Sequence, residues 1–281
     1  MNSTDKLFLI LDQFTVEKPQ WGVRELADAA SLKPNLVHWY VKNLERHRIV
    51  RRDPETQKYE LGFRLFELSH RIQRLTLMEK IAKPILRQLT KSTQGTAALR
   101  VLDGHELLCL ATVDSPASLK VQFTRGSRVP INFGSVGKVV MAFLPPDRLK
   151  ALLSKGAREK FTEKTVTDLA LLAKQLAQVR LRGWVSTVGE AVPSARGIAA
   201  PVRDSGGEVF GGVGLTFPAI ALPDSQVQRV ARLVVKAANS ISVELGWKNG
   251  KKSGRFYQMG DSTVSRRIAT QVSPSFRPSG R

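Results

Sequence analysis

Residues 34–62 read PNLVHWYVKNLERHRIVRRDPETQKYELG, and this stretch decides the fold of the N-terminal region. Its first half predicts a helix over about 34–48, and Pro34 suits the first helical position because its missing N–H would have no intrahelical acceptor there. The apolar residues at helical spacing are Val37, Tyr40, Val41 and Leu44. In the second half, two short alternating segments flank DPETQ, which predicts a β-hairpin.

Two shorter helices are expected upstream of this stretch. Ser3 or Thr4 provides an N-cap for a first helix, and residues 23–30 (VRELADAA) predict a second. The apolar positions of the first helix are Leu7, Ile10, Leu11 and Phe14. Three helices followed by a two-stranded wing are typical of a winged helix-turn-helix domain, which we place at residues 1–62.

In such a domain the third helix enters the major groove, so its outward face is the candidate DNA-reading surface. Asn35 has the chemistry to read adenine, His38 and Lys42 to reach guanine or phosphate, and Trp39 to contact sugar or a thymine methyl. The full candidate set is Arg24, Lys33, Asn35, His38, Trp39, Lys42, Arg46, Arg52 and Lys58. The alternative is a small helical domain for protein contacts, with His38 and Trp39 merely on its surface.

Residues 63–78 predict a linker helix with a broad apolar stripe. That stripe comprises Phe63, Leu65, Phe66, Leu68, Ile72 and Leu75. Because one helix-turn-helix reads only a half-site, we expect this helix to pair two copies of the chain.

Residues 79–246 predict a second domain of mixed α/β character, so we expect the chain to have a two-domain α+β fold. Strands are expected at 97–102, 106–113, 119–123, 197–203 and 209–217, and helices at 79–93, 135–143, 146–153, 168–182 and 224–245. Residues 247–281 are basic and rich in Ser and Gly, so we expect a disordered tail, either a non-specific nucleic-acid arm or a solvated extension without a role.

The charge favours a polyanionic partner, since the 281 residues carry a formal net charge of +20 and a pI of about 10.6. Basic and acidic residues number 14 and 11 in residues 1–80, 22 and 12 in 81–247, and 8 and 1 in 248–281. The excess of basic over acidic residues is therefore distributed along the chain, and part of it lies in the tail. It indicates an anionic partner and nothing finer.

Several classes of protein are disfavoured. No apolar run approaches the ~18 residues of a membrane span, and the N-terminus lacks the pattern of a signal peptide, so we expect a cytoplasmic protein without a membrane partner. A single cysteine, Cys109, excludes an internal disulfide and any multi-cysteine metal site.

The sequence also carries no catalytic pattern, so we expect neither an enzyme nor a cofactor or metal site. GSVGKV at 134–139 resembles a phosphate-binding loop, but its glycines are too close and Val139 replaces Ser or Thr. The four histidines lie apart in the sequence, and Cys109 lies in an apolar segment typical of a buried, inert thiol.

These motifs together resemble the IclR family of bacterial transcriptional regulators over about residues 3–246. The resemblance is carried, in order, by RRDPET at 51–56, YELG at 59–62, VGK at 136–138, AFLP at 142–145, TVTD at 165–168, RGW at 182–184 and IAAPV at 198–202. It implies a winged-helix DNA-binding domain joined to a GAF-like α/β effector-binding domain. It also implies homodimers or dimers of dimers on double-stranded DNA with a palindromic operator, controlled by small organic acids or aromatics.

The resemblance further implies an effector pocket. Its residues fall on Val121, Val129, Gly134, Ser135, Val136, Gly137, Lys138, Thr187, Ala195, Gly197, Gly214 and Thr216. The loop at Ser135 and Val136 corresponds to the family's carboxylate-holding amides, in keeping with anion binding at a helix N-terminus.

The chain departs from the family pattern at several of these positions. Thr187, Gly197, Gly214 and Thr216 stand where an acidic residue, a cysteine and two serines are common. Either the glycines at 134, 197 and 214 hollow the pocket for a larger, flatter ligand such as an aromatic acid, or the site has lost its ligand. Trp39 and Tyr40 also depart from the usual recognition helix, which affects the operator sequence.

Two functions are consistent with these sequence features. The first is a sequence-specific transcriptional regulator controlled by an aromatic or carboxylic acid effector. The second is a non-specific or architectural DNA-binding protein with a degenerate pocket, which would bind DNA regardless of sequence.

Overall fold

The computed structural model describes residues 1–70, 73–154 and 159–248. The chain divides into two compact units, one ending at Thr76 and the other beginning at Leu77. The predicted tail, from residue 249 onward, and Ile72 of the predicted linker stripe lie outside the described residues.

The N-terminal unit is a helix-turn-helix with a wing, as the sequence predicts. Its elements are α1 (Ser3–Leu11), α2 (Val23–Ala29), α3 (Pro34–Arg46), β1 (Val50–Arg52) and β2 (Tyr59–Leu61). The two strands pair antiparallel, with Arg51 opposite Glu60. The expected N-cap of α1 is wrong by one residue, because Asn2 accepts from the Asp5 amide at 2.8 Å while the Asp5 carboxylate accepts from the Asn2 amide at 2.9 Å.

One face of α3 holds this unit together. Val37, Tyr40, Val41 and Leu44 are all buried there, as their spacing predicts. Trp21 and Tyr59 exchange backbone hydrogen bonds of 2.9 and 2.8 Å, which tie the wing to the segment between α1 and α2. The orientation of α3 relative to the wing is therefore set by buried apolar contacts and by this backbone pair.

The helices that follow have different boundaries from those predicted. They are α4 (Phe63–His70) and α5 (Gln73–Thr93). The predicted break between a linker helix ending at 78 and a second helix beginning at 79 is absent, because no Gly or Pro interrupts residues 73–83. Pro84 lies inside α5.

The second unit is built on one antiparallel sheet. Its strands are β3 (Thr96–Asp103), β4 (Glu106–Val113), β5 (Arg128–Pro130), β6 (Val185–Val188), β7 (Ala195–Arg203) and β8 (Val209–Pro218), in the spatial order β5-β4-β3-β8-β7-β6. Its further helices are α6 (Gly134–Phe143), α7 (Pro146–Ser154), α8 (Leu169–Arg182) and α9 (Asp224–Glu244). The central strands are buried along nearly their whole length, with α6 and α9 packed against β7 and β8.

The strand predicted at 119–123 is wrong, and both β5 and β6 were missed. The edge of β4 is occupied by β5, and the pairing continues through Gly126 and Ser127, whose backbones bond to Cys109. Residues 119–123 therefore have no ladder with β4 despite their alternating pattern. β6 is a four-residue edge strand, too short for its alternation to be recognised in the sequence.

None of the helices in the described ranges is long and apolar enough to cross a membrane.

The buried face of α3 makes a measurable contribution to the stability of the N-terminal unit. Val37→Ala removes two methyl groups from a fully buried side chain and should destabilise this unit by about 2 kcal/mol. Amide hydrogen exchange of the α3 backbone should then accelerate by roughly 30-fold. Val16→Ala, at a residue 82% exposed in the same unit, is the matched control and should leave exchange unchanged. Equal effects of the two substitutions would contradict the assignment of Val37 to the core.

Candidate functional site

The outward face of α3 presents polar and aromatic side chains. Because four residues of the helix turn inward, Asn35, His38 and Lys42 are left exposed, and Trp39 is 58% exposed. Trp39 packs edge-on against Tyr40, with ring centroids 5.0 Å apart. Of the nine predicted DNA-contacting residues, only Lys58 is half-buried, and the other eight are exposed.

Four of those nine residues meet in one depression beside the wing. Arg24, His38, Arg52 and Lys58 line it together with Tyr59. The Arg52 Nε donates to the Gln57 carbonyl at 3.0 Å, and the guanidinium lies 5.7 Å from the centre of the Tyr59 ring. The other five candidates, Lys33, Asn35, Trp39, Lys42 and Arg46, lie outside the lining of this depression.

Two of the candidate lysines are engaged in ion pairs. Lys42 Nζ lies 2.8 Å from Glu45, whose hydrogen bond raises the pKa of Lys42, and Lys58 Nζ lies 3.1 Å from Glu25. The Gly22 amide and Lys58 together lower the pKa of Glu25. These exposed pairs are weak, so a phosphate or base edge can replace the carboxylate as the partner of either lysine.

A second candidate site is a cavity in the C-terminal unit where α6 begins. It is lined by Ala98, Arg100, Phe123, Phe133, Gly134, Ser135, Val136, Thr187, Glu190, Ala191, Val192, Ala195, Gly197, Gly214 and Thr216. Eight of the twelve predicted effector-binding residues are in this set. Gly197 pairs with both Thr187 and Thr216 across β6, β7 and β8, which brings distant parts of the sequence together.

Of the two alternatives for the pocket, the first is not supported at Gly197 and Gly214. A Cβ added at Gly197 would lie 2.7 Å from Ser135 Oγ, and one at Gly214 would lie 2.6 Å from Val136 Cγ2. These glycines allow α6 to approach the sheet closely and do not hollow out a large pocket. The cavity is only about 50 Å³, far below the ~300–1,000 Å³ of ordinary ligand pockets.

The other four predicted effector residues lie outside the cavity lining. Val129 belongs to β5 and packs against the apolar core, and Val121 lies half-buried in the loop between β4 and β5. Gly137 faces the Ile131 carbonyl, where an added Cβ would be only 1.7 Å from the oxygen. The side chain of Lys138 contacts the carboxylate of Glu190, which lines the cavity, but does not line the cavity itself.

The Lys138–Glu190 pair is almost completely buried. The Lys138 side chain is 4% exposed and also donates to Gln175 Oε1 at 2.7 Å. Burial lowers the pKa of Lys138, and the adjacent Glu190 opposes that shift. The turn carrying Glu190 is held in place because Thr165 Oγ1 donates to the Glu190 carbonyl at 2.7 Å. Glu190 is thus the only wall residue of the cavity with an ion pair in the described part of the chain.

Seven of the lining residues were not predicted from the sequence, namely Ala98, Arg100, Phe123, Phe133, Glu190, Ala191 and Val192. The sequence did contain a signal for Arg100, because this charged residue interrupts the apolar segment TAALRVL. Residue 98, two positions earlier, lies on the same face of β3 and also lines the cavity. Within the described residues, no cluster of three or more His, Cys, Asp or Glu is suitable for a metal ion.

Two models of known protein families together match nearly the whole of the described chain. The model for the bacterial transcriptional regulator IclR C-terminal domain matches residues 70–243, and that for the IclR helix-turn-helix domain matches residues 3–54. The chain belongs to the IclR family of transcriptional regulators. In this IclR-family protein, the C-terminal match contains the whole lining of the cavity, and the helix-turn-helix match contains eight of the nine predicted DNA-contacting residues, with Lys58 lying beyond it.

Individual relatives agree with this assignment. The regulator BhcR of Paracoccus denitrificans is 29% identical over 242 residues, covering 86% of each chain, and KdgR of Escherichia coli is 28% identical, covering 88% of this chain and 94% of its own. The crystal structure of Thermotoga maritima IclR has a TM-score of 0.73 at 25% identity and covers 88% of this chain and all of its own. These relatives are regulators, and this IclR-family chain is accordingly a regulator and not an enzyme.

A further structural neighbour has the same fold. It is an IclR homologue from Microbacterium hydrocarbonoxydans in complex with 4-hydroxybenzoate, with a TM-score of 0.76 at 24% identity, covering 87% of this chain and 99% of its own.

The buried Lys138–Glu190 pair should show strong energetic coupling. Lys138→Met and Glu190→Gln should each lower the melting temperature, because each leaves a buried group without its partner, while the double variant should lose less than the sum. The coupling from thermal unfolding should be about 1–3 kcal/mol. The same cycle at the exposed Lys160–Glu163 pair is the control and should give less than ~1 kcal/mol. Equal coupling at the two pairs would refute the structural role of Lys138.

Proposed function

We propose that this IclR-family regulator binds a palindromic operator through α3 and the wing, as a homodimer or a dimer of dimers, and that a small organic effector bound where α6 begins controls this binding. The observation that carries the proposal is the exposed polar face of α3 beside the depression lined by Arg24, His38, Arg52 and Lys58. An α-helix with such a face fits the major groove, and the wing cations lie where phosphate would be neutralised.

The proposed roles of the DNA-contacting residues divide into two classes. Asn35, His38 and Lys42 lie on the exposed face of α3 and carry amide, imidazole and ammonium groups that can read base edges. Arg52 and Lys58 belong to the wing hairpin and neutralise phosphate. The first class determines sequence preference, whereas the second contributes affinity for any duplex.

Assembly from two copies follows from the size of one reading head. A single helix-turn-helix reads a half-site, so a palindrome needs two. Helix α4 offers a surface for this pairing, because Phe63 and Leu68 are 70% and 38% exposed in the chain taken by itself. We therefore propose that α4 contributes to the contact between copies.

The cavity beside α6 is the proposed effector site. Its wall combines small apolar residues with the hydroxyls of Ser135, Thr187 and Thr216, a combination suited to a small organic acid or aromatic molecule. The 4-hydroxybenzoate bound by the structural neighbour supplies a rational probe. An effector can shift the DNA-binding equilibrium only through a difference in its affinity for the two states. Since the target is chromosomal DNA, we place the protein in the cytoplasm.

Sequence selection on random duplex DNA tests this proposal. The purified protein is incubated with the library at about 150 mM salt, as the full chain and as a chain ending at Trp247. Enrichment of one palindrome by both forms is expected. Absence of enrichment, with binding lost when the tail is removed, would favour a non-specific architectural protein instead.

Substitutions in the two classes of DNA-contacting residue should have different effects. His38→Ala and Lys42→Ala should each reduce the preference for the operator over random duplex by ~1–3 kcal/mol for the lost base contact. Arg52→Ala should weaken both duplexes alike and lower the salt slope by about one unit. Fluorescence anisotropy over a salt series measures both quantities, with Lys91→Ala on the other unit as the control. Equal losses on both duplexes for His38→Ala would exclude its proposed role.

Filling the cavity should block the effector while preserving the fold. In Gly197→Ala the new methyl group would approach Ser135 Oγ and Thr187 Oγ1, at 2.7 and 3.3 Å. Because both atoms are side-chain tips that can move into the cavity, we expect roughly tenfold weaker binding of 4-hydroxybenzoate by calorimetry, about 1.4 kcal/mol. Gly22→Ala, whose methyl would make only contacts of 3.7 Å or more, is the control. Unchanged binding in Gly197→Ala would place the effector elsewhere.

A further inference from the structure

Arg100 is a buried cation that has no anionic partner among the described residues. It lies within β3 and is 4% exposed, with its guanidinium carbon 4.4 Å from the centre of the Phe123 ring and 5.6 Å from that of Phe133. None of the ion pairs in the described part of the chain involves it. Its polar neighbour is the Cys109 thiol, and burial raises the pKa of that thiol, which keeps it neutral. Buried charges in proteins are normally paired, so this arrangement requires an explanation.

As far as the chain is described, the cavity therefore carries one uncompensated positive charge. Glu190 is the other charged residue in its wall, and Lys138 neutralises that carboxylate. The N-terminus of α6 adds partial positive charge, because the first-turn amides of a helix have no intrahelical acceptor. Phe133 is the N-cap and provides no side-chain acceptor, and the first turn contains no acidic residue. Both features favour an anion.

We propose that Arg100 determines the ligand class of the effector site by binding the carboxylate of an aromatic monoanion, and that the ligand displaces Phe123 from the guanidinium. This inference rests on the proposed effector function of the cavity. The single net charge matches one carboxylate. The Phe133 ring and the small apolar wall residues Ala98, Ala191 and Ala195 suit a flat apolar ring.

The position of Phe123 also explains why the cavity is small, because the ring fills space that the ligand would occupy. Phe123 lies in the irregular segment between β4 and β5 and is half-buried, so it can move without breaking a strand ladder. Its contact with Arg100 is a cation–π interaction, which is weaker than a two-point hydrogen bond between guanidinium and carboxylate. An aromatic acid that replaces the phenyl ring therefore gives Arg100 a stronger partner and occupies the space the ring leaves.

The test compares acids with their neutral isosteres on the full-length chain. Calorimetry with benzoate, benzamide, 4-hydroxybenzoate and 4-hydroxybenzamide should show the wild-type protein preferring each acid by roughly tenfold to a hundredfold. Arg100→Met should abolish this preference while it still binds the amides. Arg100→Lys, which keeps the charge, should retain part of the preference. Amide binding by Arg100→Met also verifies that this variant is folded.

A second variant tests the displacement of Phe123. Phe123→Ala removes the ring that the ligand must move, so the association rate constant for benzoate should increase in stopped-flow measurements. An unchanged or lower rate constant would show that Phe123 does not gate the cavity.

The outcomes separate this inference from the proposed function. If the wild-type protein binds amides as tightly as acids, or if Arg100→Met keeps the acid preference, the role of Arg100 is refuted while the effector site stands. Tighter binding of pyruvate than of benzoate refutes the aromatic part. If acids and amides all fail to bind and none alters operator affinity, both the inference and the proposed effector control are refuted.

Discussion

The close approach of α6 to the sheet is the constraint on which the C-terminal unit depends. On β8, an added Cβ would be 2.6 Å from Val136 Cγ2 at Gly214 and 3.2 Å from Val136 Cγ1 at Gly212. With this helix seated so close, its N-terminus lies beside the central strands, and the cavity is what remains between them. A larger residue at either position would push α6 away and remove the geometry that joins helix amides, hydroxyls and Arg100 in one place.

The charges around α6 follow from the same seating. Lys138 lies on α6 with its side chain in the protein interior. Because a charge in low-dielectric surroundings needs a partner, it pairs with Glu190 of the β6–β7 turn. Arg100 is buried by the same packing and has aromatic rings instead of a carboxylate. Two buried cations in one unit thus have different partners, one internal and one that we assign to the ligand.

Local patterns predicted the N-terminal unit well and the C-terminal unit less well. The apolar positions of α3 and the wing hairpin both depend on residues close in sequence. The segment 119–123 alternates like a strand but forms none, because the edge of β4 is already paired with β5. Which of two segments pairs with the edge of β4 cannot be read from the apolar pattern of either segment alone.

The sequence by itself determined the order of most helices and strands, the exposed face of α3 and the family resemblance carried by ordered motifs. Through that resemblance it also indicated eight of the residues that line the cavity. Only the tertiary structure decided the size of that cavity, the inward direction of Lys138 toward Glu190, and the burial of Arg100 beneath Phe123. The physical reason is that helix faces and turns are set by residues three or four positions apart. Burial and charge pairing are instead set by segments far apart in the chain, as Arg100 and Phe123 or Lys138 and Glu190 are.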